Sequence, residues 1–263
     1  MDKLKKLGYT DYFHEFAESA EFKGCHPARV IAEHRGLYIV NSGSGELSAK
    51  VTGNMIFSAS SREDYPAVGD FVLIETVDNE HAAIKGVMPR RTILKRKMVG
   101  KEFDMQIIAT NIDTAFIIQA PDRDYNLNRI ERYMALARSG EIETAIILNK
   151  TDIADRLDLE NKMNELKERF PGTAIYGTSF VTGEGIEKLS ADIKSAHTYC
   201  FIGSSGVGKS SIINMLLGNK VMKTGEKSVE RGKHVTTHRH LFILANGGLL
   251  IDTPGMREIA PLE

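Results

Sequence analysis

A glycine-rich segment with a lysine and several serines is the part of this sequence best suited to chemistry. The segment GSSGVGKSS fits the spacing G-x-x-x-x-G-K-S. Its glycines leave backbone N–H groups free to converge on phosphate oxygens, and the helix expected after it adds a positive partial charge. Lys209 would reach the β- and γ-phosphates, and the Ser210 hydroxyl would ligate Mg²⁺. The residues expected to bind a nucleoside triphosphate here are Gly203, Ser204, Ser205, Gly206, Val207, Gly208, Lys209, Ser210 and Ser211.

A second motif, Asn149-Lys150-Thr151-Asp152, follows a predicted strand and is suited to guanine. A carboxylate at Asp152 can accept hydrogen bonds from both N–H groups on the guanine edge, where adenine offers an acceptor instead. Asn149 would tie this loop to the phosphate-binding loop, and the Lys150 stem would cover the base. An Asp in this place is also a common helix N-cap, so this motif alone does not predict guanine. Together with the glycine-rich phosphate-binding segment, it predicts a guanine nucleotide.

Two further segments follow predicted strands and suit the two ends of such a nucleotide. Ser179 and Phe180 can present a backbone N–H to guanine O6, although an ordinary strand-to-helix turn has the same composition. Asp252, in Asp-Thr-Pro-Gly, suits a contact to Mg²⁺, and the N–H of Gly255 suits a contact to the γ-phosphate. The same residue types are favoured in β-turns, so the motif depends on its neighbours.

The polar, basic segment between residues 218 and 240 is typical of a switch loop that the γ-phosphate and Mg²⁺ order. Thr236 is the hydroxyl expected to ligate Mg²⁺, with Thr237 as the alternative. Ordinary small GTPases have a water-orienting glutamine after Asp-x-x-Gly, and this chain has Met256 there. His234 is therefore the candidate catalytic residue, although a histidine in a polar loop is often incidental.

Composition sets broad limits on the class of protein. The chain has 263 residues, a formal net charge of −1 and 42% hydrophobic residues, which predicts soluble domains without a global attraction to nucleic acid or membrane. Its two cysteines, Cys25 and Cys200, cannot form a four-cysteine zinc site. No apolar run approaches the ~20 residues that span a bilayer, so we expect a cytoplasmic protein that does not enter the membrane.

The first part of the chain predicts a helical extension and then a small barrel. Residues 1–24 have the helical spacing of apolar residues, and residues 25–97 contain short β-type runs between turn residues. This pattern predicts an OB-fold barrel of five strands, which binds oligonucleotides or has a structural role. Six runs are candidates for these strands, namely Arg29–Ala32, Gly36–Val40, Leu47–Val51, Phe71–Thr76, Ala82–Val87 and Thr92–Leu94.

A basic cluster lies at the end of this barrel region. Such a cluster forms either a solvated face or a set of phosphate contacts. Its members are Arg90, Arg91, Lys95, Arg96 and Lys97.

Residues 98–260 alternate predicted strands and helices, which is typical of a mainly parallel sheet with helices on both faces. Ligands of such sheets bind at the carboxyl ends of the strands, where the motifs above lie. In ordinary GTPases the guanine motif follows the phosphate-binding loop and the Asp-x-x-Gly motif, whereas here it precedes both. The predicted fold is therefore a circularly permuted α/β P-loop GTPase domain preceded by a small all-β OB-fold barrel.

This permuted order behind a barrel strongly resembles the RsgA (YjeQ/YloQ) family of bacterial GTPases of the small ribosomal subunit. The most specific segments are GSSGVGKSS at 203–211, GKHVTTHR at 232–239 and DTPGMRE at 252–258, and the resemblance extends over about residues 25–260. It implies that the chain binds GTP and GDP with Mg²⁺, and that GTP hydrolysis is coupled to late maturation of the 30S subunit. It also implies contact of the barrel with 16S rRNA.

The resemblance further implies a catalytic His234 and a switch Thr236, but residue 235 is a valine where the family usually has a threonine. The family carries a C-terminal zinc module, whose cysteine ligands do not occur before the last residue, Glu263. We therefore expect no zinc site in this chain, and we expect a monomer that binds the 30S subunit and 16S rRNA. An alternative of another class is a non-hydrolysing, GTP-dependent RNA-binding assembly scaffold.

Overall fold

A closed barrel and an α/β sheet, with a two-stranded ribbon between them in the chain, make up the described part of the protein. The computed structural model describes residues 2–18, 22–34, 36–97, 105–218 and 239–253. The sequence of an all-β part and then an alternating α/β part agrees with the fold class expected above.

Two short helices begin the described chain, α1 (Asp2–Lys5) and α2 (Asp11–Ala17). Leu4 and Phe13 are buried, and together with Leu7 between the helices they belong to one core cluster with residues of the barrel and the α/β sheet. The N-terminal segment is therefore packed against the rest of the molecule.

In the described residues, five strands close into the barrel. These strands are β1 (His26–His34), β2 (Leu37–Asn41), β3 (Glu46–Val51), β4 (Phe71–Thr76) and β5 (His81–Val87). β3 pairs with β5 in parallel, and β4 closes the barrel by antiparallel pairing with β1. Small and branched side chains such as Val30, Val40 and Ile84 fill the interior, which explains the alternation of apolar residues along these strands.

The barrel region differs from the sequence prediction in two places. Thr92–Leu94 was expected to belong to the barrel, but β6 (Ile93–Lys97) pairs with β7 (Met105–Thr110) in a separate antiparallel ribbon. Leu94 is fully buried in the core that the ribbon shares with the α/β sheet, and β-propensity does not reveal such a partner. Between β3 and β4 the chain forms helix α3 (Gly53–Ser58), which was not predicted because its residues show no apolar period.

The basic cluster after the barrel is engaged mainly in internal contacts. Three of its members pair with acidic side chains, namely Arg90 with Asp70 at 2.7 Å, Arg91 with Asp113 at 3.0 Å and Lys95 with Glu63 at 3.2 Å. Asp70 is fully buried, and Arg90 also donates to two backbone carbonyls. Arg90 is therefore held mainly by internal contacts, whereas the side chains of Arg91 and Lys95 are 32% and 39% exposed.

The second part of the chain forms the α/β sheet. Its elements are β8 (Thr114–Gln119), α4 (Leu127–Ser139), β9 (Glu143–Asn149), α5 (Arg156–Arg169), β10 (Ala174–Thr178), α6 (Ile186–Asp192), β11 (Thr198–Ile202), α7 (Lys209–Leu217), β12 (Leu241–Ile243) and β13 (Leu249–Ile251). In the described ranges, the strand order is β10, β9, β8, β11, β13, β12, and β12 is the antiparallel strand. The carboxyl ends of the five parallel strands therefore lie at one edge.

Both faces of this sheet are buried, in two different cores. On β11, Cys200 and Ile202 face the core shared with the barrel and the N-terminal helices, while Tyr199 and Phe201 face the core under α6 and α7. This is the period of two expected for a strand that is covered on both faces. One continuous core thus connects the barrel to the sheet that carries the candidate site.

The guanidinium of Arg29 joins three distant segments. It donates to the carbonyl oxygens of Leu7 at 2.6 Å, Gly69 at 3.1 Å and Asn111 at 3.1 Å, and it is only 1% exposed. Burial lowers the pKa of Arg29 to about 9, and the nearby Asp113 charge opposes that shift. The N-terminal helices, the barrel and the start of the α/β sheet are therefore fastened at one point.

Replacing this arginine by a side chain of similar length without donors should destabilise the whole fold. In Arg29→Met, the carbonyls of Leu7 and Asn111 lose the donor that they share, whereas Gly69 keeps a bond from the Asn111 amide at 3.1 Å. We expect a loss of about 3 kcal/mol in urea unfolding. The matched control is Arg156→Met, at a side chain that is 93% exposed, and an equal loss in both variants would contradict the role of Arg29.

Candidate functional site

The predicted phosphate-binding loop connects β11 to α7, as the sequence indicated. Glycine is required at two of its positions for steric reasons. A Cβ at Gly203 would lie 2.5 Å from the carbonyl oxygen of Ile118, and Gly208 has a φ of +97°. Ser205 and Gly206 are exposed, whereas Ser204 and Ser210 are half-buried, so the loop has one open side. Ser210 and Ser211 lie in the first turn of α7.

Lys209 folds back over this loop. Its ammonium donates to the carbonyl oxygens of Gly203 at 2.7 Å and Ser204 at 2.6 Å, and the residue is 8% exposed. Burial lowers the pKa of Lys209 to about 8, and the charge of Asp252 raises it in part. The carbonyl oxygens hold the ammonium at the place where phosphate oxygens would meet it.

Asp252 lies directly after β13, in the same end of the sheet, and it is 8% exposed. Burial raises the pKa of Asp252 to about 6, and Lys209 lowers it in part. Its backbone N–H donates to the carbonyl oxygen of His240 at 3.0 Å, and His240 forms an antiparallel bridge with Ala32 of the barrel. The site is thereby in direct contact with β1.

Asn149 connects the predicted guanine motif to the phosphate-binding loop. Its side-chain Nδ2 donates to the carbonyl oxygen of Val207 at 2.8 Å, and its Oδ1 accepts from Thr178 Oγ1 at 3.0 Å. The residue is fully buried, and a Cβ at Gly208 would lie 2.2 Å from its Nδ2. One side chain therefore joins the loops after β9, β10 and β11.

The remainder of the guanine motif forms a tight turn. Lys150 has a φ of +64°, which turns the chain into a short 3-10 helix, Thr151–Ile153. Asp152 is exposed and accepts a hydrogen bond from the hydroxyl of Ser179. Ser179 is fully buried, and Phe180 beside it is 41% exposed. The loops after β9 and β10 are therefore in contact where the base would lie.

Three predicted residues lie outside the described part of the chain. These are His234, Thr236 and Gly255. The other predicted site residues lie at the carboxyl-end edge of the sheet, on the loops after β9, β10, β11 and β13.

Thr178 and Glu184 also support this site, although no motif in the sequence marks either residue. Thr178 orients Asn149, and Glu184 accepts from Thr151 Oγ1 at 3.3 Å. Both residues adjoin motifs identified in the sequence. Only the pairing of β9 with β10 shows that they contact the guanine motif.

The described residues can also be compared with the requirements of a metal cluster, a membrane-spanning helix and a disulfide. Within them, no group of three or more His, Cys, Asp or Glu side chains is arranged to hold a metal ion. No described helix combines the length and apolar character that crossing a membrane requires. Both cysteines are free, and Cys200 is fully buried.

Comparison with known sequences gives consistent matches. A family model described as RsgA GTPase matches residues 87–261. The small ribosomal subunit biogenesis GTPase RsgA of Opitutus terrae is 37% identical, with 97% of this chain and 72% of that protein covered. The protein named RsgA 2 of Lactiplantibacillus plantarum is 40% identical, with 88% of this chain and 65% of that protein covered. The chain spans about two thirds to three quarters of the length of these relatives.

Two solved structures have a similar fold. YjeQ from Thermotoga maritima aligns with a TM-score of 0.67 at 26% identity, over 89% of this chain and 77% of that one. YloQ, described as a circularly permuted GTPase, aligns with a TM-score of 0.63 at 21% identity, over 93% of this chain and 76% of that one. The likeness to YloQ shows the fold alone, and the permuted fold expected from the motif order is confirmed.

The buried carboxylate of Asp252 should reduce the stability of the protein when neither nucleotide nor Mg²⁺ is present. In the unfolded chain an Asp titrates near pH 3.9, and in the folded protein the pKa of Asp252 is raised to about 6. The folded state therefore loses stability as the pH rises through this interval. Below about pH 4 the carboxyl group is protonated in both states, and its ionisation no longer destabilises the fold. At pH 7.5, Asp252→Asn should raise the free energy of unfolding by about 1–3 kcal/mol, which is seen as a higher melting temperature.

This advantage of Asp252→Asn should fade between pH 6 and pH 4, as measured by thermal unfolding in EDTA. Glu187→Gln, at an exposed side chain on α6, is the control for a change of charge alone. A difference between the wild-type protein and Asp252→Asn that does not vary with pH would contradict the burial of an ionised carboxylate.

Proposed function

The chain belongs to the RsgA family of GTPases, and we propose that it binds GTP and hydrolyses it to GDP in the biogenesis of the small ribosomal subunit. The observation that carries this proposal is the hydrogen bond of 2.8 Å from Asn149 Nδ2 to the carbonyl oxygen of Val207. It joins a loop suited to guanine to a loop suited to phosphates. The bond therefore supports one nucleotide site that spans both loops.

Guanine would be recognised by Asp152, with Lys150 over the base and the backbone of Ser179 and Phe180 beside O6. A carboxylate has room for about four hydrogen bonds, so the bond from Ser179 leaves capacity for both N–H groups of guanine. Adenine presents an unprotonated ring nitrogen to the same carboxylate and would leave it unpaired. Thr151 is buried and supports the turn through Glu184.

The phosphates would lie over the loop Gly203–Ser211, with its backbone N–H groups as donors. Lys209 would exchange its two carbonyl contacts for phosphate oxygens, and its burial strengthens that charge interaction. Ser210 and Asp252 offer a hydroxyl and a buried carboxylate, the oxygen ligands that Mg²⁺ prefers. Mg²⁺ held there would neutralise charge that develops on the phosphates during hydrolysis.

The switch residues are proposals from the sequence. Thr236 would complete the Mg²⁺ ligands, Gly255 would contact the γ-phosphate, and His234 would orient the attacking water in place of the glutamine that Met256 replaces. A phosphate-release assay with and without small ribosomal subunits tests this assignment against the alternative of a non-hydrolysing scaffold. Release of phosphate that subunits accelerate supports the GTPase, and GTP binding without release supports the scaffold.

The partner follows from the names of the relatives, which are called small ribosomal subunit biogenesis GTPases. We propose that this chain binds the 30S subunit as a monomer, with the barrel on 16S rRNA. Because Arg90, Arg91 and Lys95 are paired with carboxylates, that contact would depend on other residues of the barrel. We also propose the division into an N-terminal extension of residues 1–24, a barrel of residues 25–97 and a GTPase domain of residues 98–260.

Lys209→Ala should abolish GTP turnover in a protein that stays folded. Loss of the buried ammonium removes a positive charge from the phosphates, and we expect the rate to fall by at least about 100-fold. Lys188→Ala, at an exposed lysine on α6, is the matched control. Turnover in Lys209→Ala equal to that of Lys188→Ala would remove the site from this loop.

Asp152→Asn should change the base preference from GTP toward XTP. The asparagine amide supplies a donor where xanthine has a carbonyl oxygen, and it loses one acceptor for guanine, so we expect GTP affinity to fall on the order of 100-fold. Competition of GTP, XTP and ATP against a fluorescent guanine nucleotide measures the change. Equal affinity of the wild-type protein for GTP and ATP would refute the guanine assignment.

A further inference from the structure

The side chain of Arg129, in the first turn of α4, reaches the phosphate-binding loop from the helix that follows the neighbouring strand β8. Its guanidinium donates to Ser204 Oγ at 2.9 Å and to the carbonyl oxygen of Asp124 at 3.2 Å, and it pairs with the Asp124 carboxylate at 2.5 Å. The side chains of Arg129 and Asp124 are 27% and 43% exposed. No motif in the sequence draws attention to either residue.

The position of Arg129 is fixed by the end of β8. Gln119 is 2% exposed, and its side chain donates to the carbonyl oxygen of Asn126 at 3.1 Å and accepts from the Asn126 N–H at 2.8 Å. Asn126 in turn caps α4 by accepting from the N–H of Arg129 at 2.9 Å. Since β8 lies next to β11 in the sheet, this chain of bonds places Arg129 beside Ser204.

Arg129 uses one acceptor site of the Ser204 hydroxyl in this arrangement. A serine hydroxyl has one donor and two acceptor sites. Arg129 donates to the hydroxyl oxygen at 2.9 Å and also pairs with the Asp124 carboxylate. This matters because a free serine hydroxyl commonly bonds to backbone N–H groups one to three residues away. In this loop those N–H groups are the ones that phosphates need.

We propose that Arg129, with Asp124, is a positioning residue for nucleotide binding, because it holds the Ser204 hydroxyl away from the backbone N–H groups of the phosphate-binding loop. The inference rests on the proposed function, since it concerns GTP binding at that site. Arg129 touches neither the base nor the phosphates in this account and acts through Ser204. Its loss therefore affects the affinity for GTP and GDP more than the rate of hydrolysis at saturation.

A double-mutant cycle tests the proposal. Arg129→Met frees the Ser204 hydroxyl, so GTP and GDP affinity should fall about tenfold. In the Ser204→Ala background there is no hydroxyl to compete, and Arg129→Met should then change affinity by less than about twofold. The affinities are measured by displacement of a fluorescent guanine nucleotide, and KM and kcat by phosphate release. We expect KM to rise in Arg129→Met, and Arg129→Lys, which retains a donor, to restore it.

The control is Arg132→Met, at an exposed arginine on the same helix. An equal loss from Arg129→Met in both backgrounds would show a role in charge or stability and overturn the proposal, as would no loss with Ser204 present. If Arg129→Met unfolds at the assay temperature, Arg129→Gln serves in the same cycle with the same two outcomes. Failure of the wild-type protein to bind GTP would instead overturn the proposed function, so the two failures are distinguishable.

Discussion

The candidate site depends on the bond between Asn149 and the carbonyl oxygen of Val207. Without it, the loop after β9 and the loop after β11 would be two turns at one edge of a sheet, each with an ordinary structural explanation. The bond is buried and short, at 2.8 Å, and Thr178 fixes the amide from the other side. Gly208 is needed at the contact because any Cβ would collide with this amide. The distance between the loop proposed for the base and the loop proposed for the phosphates is thereby set by packing.

A second constraint is the burial of opposite charges at the same edge. Lys209 and Asp252 are each 8% exposed. Burial lowers the pKa of Lys209 and raises the pKa of Asp252, so it favours the neutral form of both side chains. Such an arrangement costs stability while the site has no ligand, and it strengthens the interaction with charges that enter it. The backbone N–H of Asp252 donates to His240, and His240 forms a bridge with β1 of the barrel. The buried charged pair therefore lies next to the contact between the sheet and the barrel. The proposed nucleotide site and the barrel are thus connected through His240.

Much of this architecture could be predicted from local signals. The helix Leu127–Ser139 has such signals at both ends, since Asn126 caps its start and Gly140 follows its end. The motifs lie at strand ends, where parallel sheets bind ligands. Contacts between distant segments could not be predicted in this way. Arg29 looks like any arginine in a strand until Leu7 and Asn111 are brought to it.

The same limit applies to the site. The position of Arg129 beside Ser204 follows from the strand order, which places β8 next to β11 although two other strands separate them in the chain. The strand assigned to Thr92–Leu94 was predicted correctly as a strand and incorrectly as part of the barrel, since period and propensity do not identify the partner strand. The basic cluster shows that charge in a sequence does not reveal whether a carboxylate lies opposite.

Competition between fragments of the nucleotide tests most directly whether the two loops form one site. Guanosine carries only the base and ribose, and pyrophosphate carries only the phosphate part. If Asn149 holds the two subsites in one cleft, saturating guanosine and saturating pyrophosphate should each displace fluorescent GDP completely, and both should bind together without hindering each other. Displacement by one fragment and none by the other at saturation would contradict the account, because the two loops would then open onto separate surfaces.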